Sequence, residues 1–403
     1  MTDRLIVHIG PRKTGTTYVQ RVLQMLAPEL MTSGILYPTE FRGRSDYNHV
    51  SAVTDVTHEA ETRPGGRWVG RGTDAWEGLR SQVAAWDGTT ILSAEMLGGL
   101  RSASARTFLD GLDARQIDVV ITMRDLARII PSSWQQHVRN THRESYLKYI
   151  ERREEERGQG TPQTREKEWD EVRHHKFWRS YAYGALVRRW AALVGIEHIR
   201  VVTLPAPGGD SSLLWTRFVD ALAIPDIPRD APNLPRFISN VGSTAEEAAF
   251  LHAFNIEAGR RGWNRSQIKE HQQRLLSSGF LDRPHRGSTL ALPTEYIPLV
   301  RSWADEDRQD LAGTGVPLWG EIDDLAIPES TRGTPPLDPE ALAGAGAYAL
   351  VDRLDRKAKS RKRSGDRNPL SPVRDLAGRA RRRIAGASQP ATPEQRPPRP
   401  PRA

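Results

Sequence analysis

A lysine, a pair of glycines and a pair of threonines near the N-terminus have a spacing that can bind a phosphate group. The stretch HIGPRKTGTT, residues 8–17, keeps Gly10 and Gly15 at the separation of the glycines in the nucleotide-triphosphate loop G-x-x-x-x-G-K-[ST]. In that loop the lysine follows the second glycine, whereas here Lys13 precedes Gly15 by two residues. A lysine at this point can face a group attached to the bound phosphate, which suits a phosphate ester whose leaving oxygen gains charge.

The residues around this lysine predict an anion site at the start of a helix. RLIVHIG (4–10) is the apolar run of a buried strand, and the sequence after Gly15 has the apolar spacing of a helix. Such a turn directs backbone N–H groups, here those of residues 13–17, toward an anion, and the helix dipole adds positive charge. The hydroxyl groups of Thr16 and Thr17 are further donors. A tight turn with a capping threonine is the simplest alternative.

A second motif predicts a second phosphate contact. In DVVITMRDLARIIPSSWQ, residues 118–135, Arg124 ends a strand and Ser132 lies eight residues later on the following helix. An arginine can bind a phosphate through two parallel hydrogen bonds, with a serine hydroxyl beside it. Two phosphate sites at neighbouring strand ends predict a nucleotide phosphorylated at both its 5′ and 3′ positions. Asp125 resembles the magnesium-binding acid of kinases, so a Mg-dependent phosphotransferase is the alternative.

Two residues are candidates for a general base, which an acceptor hydroxyl group needs in order to lose its proton. Glu95 ends TTILSAE at a strand terminus, the edge of the sheet where ligands bind in such folds, although it could equally be a helix-capping acid. His49 lies within residues 39–74, which predict a long loop that could fold over an acceptor. His8 lies inside the first strand and is expected to be a core residue.

No metal site is expected. The chain has no cysteine, which excludes disulfides, thiolate chemistry and cysteine-bound zinc. His174 and His175 follow Asp170 and Glu171, but they stand in a highly charged segment, residues 146–175, for which we predict a solvated helix and a return. A solvated face explains these histidines better than a metal centre does.

Strand and helix patterns alternate along the chain and predict an α/β fold with a parallel sheet between helices. Besides the first strand, buried strands are expected at TTILSAE (89–95), QIDVVITMRD (116–125) and HIRVVTLP (198–205). GILYP (34–38) is a candidate for a short strand. Four tryptophans at helical spacing are expected in the core: Trp134, Trp178, Trp190 and Trp215.

The basic charge of the chain is concentrated at its C-terminal end. Residues 353–403 contain 16 Lys plus Arg and 4 Asp plus Glu, a net charge of +12, and the other 352 residues have 42 and 46, a net charge of −4. We therefore expect a catalytic domain over residues 1–330, a marginal helix or linker over 331–352, and a disordered basic, Pro/Arg-rich tail over 353–403. The near-neutral body gives no reason to expect a specific nucleic-acid partner.

The tail allows one weak interaction. VRDLAGRARRRIAG, residues 373–386, places a small apolar face among arginines, so a contact with an anionic membrane surface is an alternative to a solvated tail. There is no run of 18 apolar residues and no pattern of a secretory signal, so we expect a cytoplasmic protein.

Taken together, the two phosphate motifs resemble those of a known family. KTGTT after the first strand, followed by an arginine with a serine eight residues later, is similar to the sulfotransferases that use 3′-phosphoadenosine 5′-phosphosulfate. The closer resemblance is to their bacterial, actinobacterial-like branch, through the opening HIGPRKTGTT and the later segments RDLARIIPSSWQ, FWRSYAYGALVRRWAALVG and VPLWGEIDDLAIP. The resemblance extends from residue 4 to about residue 328.

The resemblance implies a P-loop-like three-layer fold and a set of site residues. Six residues would hold the 5′-phosphosulfate: Arg12, Lys13, Thr14, Gly15, Thr16 and Thr17. Arg124 and Ser132 would hold the 3′-phosphate. Members that act on carbohydrates use a glutamate as the base and members that act on small molecules use a histidine, so Glu95 is preferred here and His49 is second.

The expected activity is therefore sulfuryl transfer, without a metal, to a hydroxyl or amine group. The acceptor would be a carbohydrate, a lipid-linked sugar or another small molecule. A Mg-dependent phosphotransferase or nucleotide kinase on the same fold, and a non-catalytic nucleotide-binding protein, are the alternatives.

Overall fold

The computed structural model describes most of the first 365 residues. The exceptions are residues 42–45, 62–73, 173–175, 207, 211, 226, 233–241, 278–282 and 284. The predictions for His174 and His175 and for the chain beyond residue 365 lie outside the described residues.

A single parallel sheet forms the centre of the protein. Its six strands are β1 (Thr2–His8), β2 (Ile35–Leu36), β3 (Thr89–Ser93), β4 (Ala114–Met123), β5 (Ile199–Thr203) and β6 (Leu318–Trp319). They lie in the order β2-β3-β1-β4-β5-β6, and every neighbouring pair is parallel. The predicted α/β class, its parallel sheet and the strand positions are confirmed, including the short strand at residues 34–38.

Helices cover both faces of this sheet. The first seven are α1 (Thr16–Thr32), α2 (Val50–Glu61), α3 (Asp74–Ala84), α4 (Ser102–Asp110), α5 (Leu126–Arg139), α6 (Tyr146–Arg157) and α7 (Pro162–Glu171). The others are α8 (Lys176–Tyr181), α9 (Tyr183–Val194), α10 (Leu213–Leu222), α11 (Ala245–Arg260), α12 (Arg265–Ser277), α13 (Ile297–Ala312) and α14 (Pro339–Gly365).

The alternation of side chains along each strand separates two apolar layers. Leu5 and Val7 of β1 pack in one layer with residues of α5 and α9, whereas Ile6 packs on the opposite face with α1 and α10. Successive side chains of a strand point to opposite faces, so strands buried on both faces consist almost wholly of apolar residues. The four expected core tryptophans are all buried: Trp134, Trp178, Trp190 and Trp215.

The register of the sheet aligns the ends of its three central strands. His8 at the end of β1 pairs with Ser93, the last residue of β3, and with Val120 of β4, which ends at Met123. The segments that leave these strands therefore start at one edge of the sheet. These segments contain Lys13, Glu95 and Arg124, and their proximity follows from the register.

Three expectations about organisation are wrong. Residues 39–74 are not one long loop, because Val50–Glu61 forms α2 within them. The charged segment after residue 146 is not simply solvated, because Arg153 and Arg157 of α6 are buried. Residues 353–365, expected to begin a disordered tail, form the end of α14.

The C-terminal part of the described chain divides within α14. Residues 1–345 form one compact unit, and residues 346–365 are the described part of a second unit. Ala341 and Ala345 are buried in the first unit, whereas Leu350 and Leu354 are more than half exposed in the second. None of the described helices is both long and apolar enough to cross a membrane.

Candidate functional site

The loop between β1 and α1 has a tight, left-handed geometry. Lys13 has φ = 72° and Gly15 has φ = 79°, so two residues of the loop adopt a conformation that L side chains disfavour. A Cβ atom at Gly10 would lie 1.8 Å from Thr122 Oγ1, and one at Gly15 would lie 2.4 Å from Leu214 Cδ2. The glycine spacing seen in the sequence is thus required by close packing.

Thr14 shapes the loop from inside. Its hydroxyl donates to the Pro11 carbonyl at 2.6 Å and lies 2.8 Å from Thr122 Oγ1, and its backbone N–H also donates to Pro11 at 3.3 Å. The residue is fully buried. The expected contact of Thr14 with a ligand stays a prediction, and in this structure its N–H and hydroxyl donors are used within the loop.

The start of α1 directs free donors toward the loop. Gly15 is the N-cap, and the first helical hydrogen bonds are made by Tyr18 and Val19, whose N–H groups donate to the Gly15 carbonyl at 3.0 and 3.2 Å. The N–H groups of Thr16 and Thr17 come before this point and have no acceptor in the helix. No acidic residue stands in the first turn to neutralise the dipole.

Lys13 lies half-buried among other cations. Its ammonium donates to Gln136 Oε1 on α5 at 3.2 Å. Burial, followed by repulsion from Arg139, Arg12 and Arg124, lowers the pKa of Lys13 to about 8, while Glu95 opposes the shift. Positive charges crowded in this way repel one another, and a bound anion would relieve the repulsion.

Arg124 connects the two predicted phosphate motifs, residues 8–17 and 118–135. Its Nη1 donates to the Lys13 carbonyl at 3.0 Å, and its backbone N–H and carbonyl both bond to the Tyr183 hydroxyl, at 3.0 and 2.6 Å. Its Nε is buried without a partner among the described residues. Burial, followed by repulsion from Arg128, lowers the pKa of Arg124 to about 10, so it is still charged at neutral pH.

Two residues next to this arginine do not have the expected surroundings. Ser132 is half-buried on α5 and lines neither the Lys13 cavity nor the small pocket at Arg124, whereas Ser133 lines the former. Asp125 is the N-cap of α5: one carboxylate oxygen accepts from the Arg128 N–H at 2.9 Å, and the other is bonded to the Arg128 side chain. Both oxygens that a magnesium ion would need are engaged.

A cavity of about 270 Å³ opens beside Lys13. Four basic side chains line it: Arg12, Lys13, Arg153 and Lys176. Glu95 is its acidic lining residue, and three aromatic rings complete much of the wall: Tyr149, Phe177 and Tyr181. The cavity is slightly smaller than most small-molecule sites, roughly 300–1,000 Å³.

Glu95 is held so that one carboxylate oxygen is left for a ligand. It follows β3 directly, and its Oε2 accepts a hydrogen bond of 3.2 Å from Gln20 Nε2. The same amide nitrogen lies 3.2 Å from Ser93 Oγ, and the Gln20 side chain is buried. No hydrogen bond to Oε1 is made by the described residues, and this oxygen is free to accept a proton.

His49 has the environment of a structural residue. It is fully buried, donates from Nε2 to the Pro38 carbonyl at 2.8 Å, and accepts the Ser93 N–H on Nδ1 at 2.9 Å. Burial lowers the pKa of His49 to about 4. The geometry does not favour the prediction that His49 is a base, because both ring nitrogens are bonded to backbone and His49 does not line the cavity.

His8 connects the β1–α1 loop with the residues that hold Glu95 in place. Its two ring nitrogens lie 2.8 Å from Ser93 Oγ and 3.1 Å from Thr122 Oγ1, and burial lowers its pKa to about 3. The predicted core role of His8 is confirmed. A buried chain of hydrogen bonds thus leads from Thr14 through Thr122, His8, Ser93 and Gln20 to Glu95.

Several residues that line the cavity were not predicted, although their spacing in the sequence indicates a common helix face. Ser133, Gln136, His137 and Asn140 all line the cavity. They are spaced i, i+3, i+4, i+7, which places them on one face of α5. A polar stripe of this kind on a helix that leaves the ligand-binding edge of a sheet indicates a site.

Comparisons with protein-family models, with curated proteins and with solved structures found no significant match. In the described part of the chain, no group of three or more His, Asp or Glu side chains is placed to hold a metal ion.

Proposed function

We propose that this protein transfers a sulfuryl group from 3′-phosphoadenosine 5′-phosphosulfate to a hydroxyl or amine group of a small-molecule, carbohydrate or lipid-linked acceptor, on a P-loop-like fold. The observation that carries the proposal is the position of Lys13. It lies before the helix N-terminus and lines the same cavity as Glu95. An ammonium group and a carboxylate therefore line one cavity, where the first would stabilise the growing charge and the second would act as the base.

The donor would bind along the β1–α1 loop. The N–H groups at the start of α1 and the hydroxyl groups of Thr16 and Thr17 would hold the 5′-phosphate, as helix N-termini bind anions. Arg12 would add charge from the exposed side of the loop. The Nε of Arg124, which has no partner among the described residues, would bind the 3′-phosphate, and Ser132 would be a further contact of this phosphate.

The transfer itself requires one bond to form and one to break. The acceptor oxygen attacks sulfur in line, its proton passes to Glu95, and the bond between sulfur and the bridging oxygen breaks, leaving the 3′,5′-bisphosphate. Lys13 would stabilise the bridging oxygen as its charge grows. This interaction is stronger in the transition state than in the ground state, so it raises turnover.

The arrangement favours sulfuryl transfer over magnesium-dependent phosphoryl transfer. A kinase or nucleotidase of this type needs a lysine after the second glycine and an acid for the metal. Thr16 occupies the lysine position, and Asp125 is engaged with Arg128. Neither part of a magnesium nucleotide site is therefore available in its usual form.

The experiment that tests this function is a donor-dependent screen. The full chain would be incubated with 3′-phosphoadenosine 5′-phosphosulfate and fractionated small-molecule extract, and release of the bisphosphate and sulfate adducts would be followed by mass spectrometry. We expect adducts with the wild-type chain and very few with Lys13→Ala. Phosphate adducts formed only with ATP and magnesium would contradict the proposal.

A further inference from the structure

One wall of the cavity contains a buried arginine that the reaction does not use. Arg153 of α6 is only 5% exposed and lines the cavity. Its guanidinium lies 4.8 Å from the ring centre of Tyr149 and 5.1 Å from that of Phe177, and both rings also line the cavity. These rings shield the arginine from bulk water, which strengthens its interaction with any charge that enters.

The hydrogen-bond donors of Arg153 are only partly used. Nη2 donates to Glu156 Oε1 at 2.9 Å, but Nε is buried with no partner among the described residues. Arg153 shares this acceptor, because Glu156 Oε1 also accepts a hydrogen bond of 3.1 Å from Arg152 Nη1. A buried donor without an acceptor is unfavourable, so the hydrogen bonding of Arg153 is incomplete. Because the arginine lines the cavity, a ligand there can supply an acceptor to its guanidinium.

The charge of the cavity agrees with a negative ligand. Its four basic side chains face one carboxylate, that of Glu95, within the lining. Burial lowers the pKa of His137 to about 4, so this lining residue adds no charge at neutral pH. The function proposed above assigns Arg12 and Lys13 to the donor, which leaves Arg153 as the buried lining cation without an assigned ligand.

We propose that Arg153 binds a carboxylate of the acceptor, so that the acceptor is a small hydroxylated carboxylic acid such as a sugar acid or a hydroxyaryl acid. A planar carboxylate matches the fork of a guanidinium, which a hydroxyl group does not. The cavity volume limits the part of the acceptor that enters to about one ring. The assignment of this anion to the acceptor rests on the function proposed above.

The test compares matched pairs of compounds. Calorimetry would measure the binding of glucuronate against glucose, and of 4-hydroxybenzoate against phenol, to the full chain saturated with 3′,5′-adenosine bisphosphate. We expect the wild-type chain to prefer each carboxylate over its neutral partner by roughly tenfold or more, the scale of a charge-assisted hydrogen bond. Equal binding within both pairs would overturn the proposal.

Substitutions assign the preference to one residue. Arg153→Gln should abolish it, and Arg153→Lys should reduce it several-fold because the fork is lost while the charge and the fold are kept. Arg152→Gln is the matched control, because Arg152 is its neighbour, contacts the same Glu156 and does not line the cavity. Loss of the preference in the control but not in Arg153→Lys would overturn the proposal.

The donor and acceptor proposals can fail separately. If the bisphosphate does not bind, the same titrations are done without it, and a carboxylate preference that depends on Arg153 would support the anion site while the sulfotransferase function fails. If the bisphosphate binds and no preference appears, the anion site fails and the function stands.

Discussion

The guanidinium of Arg124 donates a hydrogen bond of 3.0 Å to the carbonyl oxygen of Lys13. Lys13 has φ = 72°, a left-handed conformation that costs an ordinary residue roughly 1–2 kcal/mol. The bond from Arg124 helps to hold this peptide in place. The two candidate phosphate contacts are therefore connected by a hydrogen bond to the backbone.

Arg124→Ala should weaken binding of 3′,5′-adenosine bisphosphate by about 1.5–3 kcal/mol, because a charge-assisted contact with the 3′-phosphate is lost. Adenosine 5′-phosphosulfate lacks this phosphate and should bind with little change. Calorimetry with both ligands measures the difference.

Arg128→Ala is the control for this prediction. Arg128 is the next arginine along the chain and its side chain is bonded to Asp125 rather than to the loop. We expect it to affect the two ligands equally. A loss of the same size for both ligands in Arg124→Ala would mean that Arg124 acts only by supporting the loop.

Lys13→Ala should lower turnover about a hundred-fold or more, the scale of losing one preorganised donor in the transition state. Binding of the bisphosphate should weaken much less, because the N–H groups of α1 still hold its 5′-phosphate. Lys13→Arg should restore little activity, since a planar fork does not replace the ammonium beside Gln136. Near-normal turnover in Lys13→Ala would contradict the proposed role.

The acidity of Lys13 predicts a pH dependence. Burial and the neighbouring arginines lower its pKa from about 10.5 to about 8, so the ammonium is present below this pH and is lost above it. The kcat/KM value, which reports groups of the free enzyme, should therefore fall as the pH rises through about 8. In Lys13→Arg the fall of kcat/KM near pH 8 should disappear. If kcat/KM of this variant still falls at the same pH, another group is responsible.

His49 should affect stability and not turnover. Its pKa is about 4 in the folded chain, against about 6.5 when unfolded, so between these values the unfolded chain binds more protons. The contribution of His49 is fully present above pH 6.5 and is lost as the pH falls toward 4, by about 2 kcal/mol at pH 5.

Denaturant unfolding of His49→Gln at pH 5 and 7 measures this contribution. Between pH 7 and pH 5 the free energy of unfolding should fall less in the variant than in the wild-type chain. Some fall remains in the variant, because the pKa of His8 is also lowered by burial. A variant that kept the full pH dependence of stability but lost turnover would restore His49 as the base.

The grouping of the main site residues could be predicted because it follows from the sheet. Lys13, Glu95 and Arg124 all come after buried parallel strands, and the register of β3, β1 and β4 brings their ends together. The hydrophobic pattern alone identified these strands, so Lys13 and Glu95, which line the cavity, were found as well.

Residues supplied by helices could not be predicted in the same way. Arg153 stands in YLKYIERREEER, whose charge is typical of a solvated helix, and its burial depends on packing against Phe177 and Tyr149. The surroundings of His49 were not predicted for a related reason, because its contact with Ser93 joins residues that are far apart in the sequence. Local pattern does not contain such information.

The most direct test of the account is calorimetry of the full chain with two nucleotides. Titration with 3′,5′-adenosine bisphosphate in the presence of a chelator should show one-site binding that Lys13→Ala preserves and Arg124→Ala weakens. ATP with magnesium should bind far more weakly. Tight binding of ATP with magnesium, and no binding of the bisphosphate, would contradict the proposed sulfotransferase function.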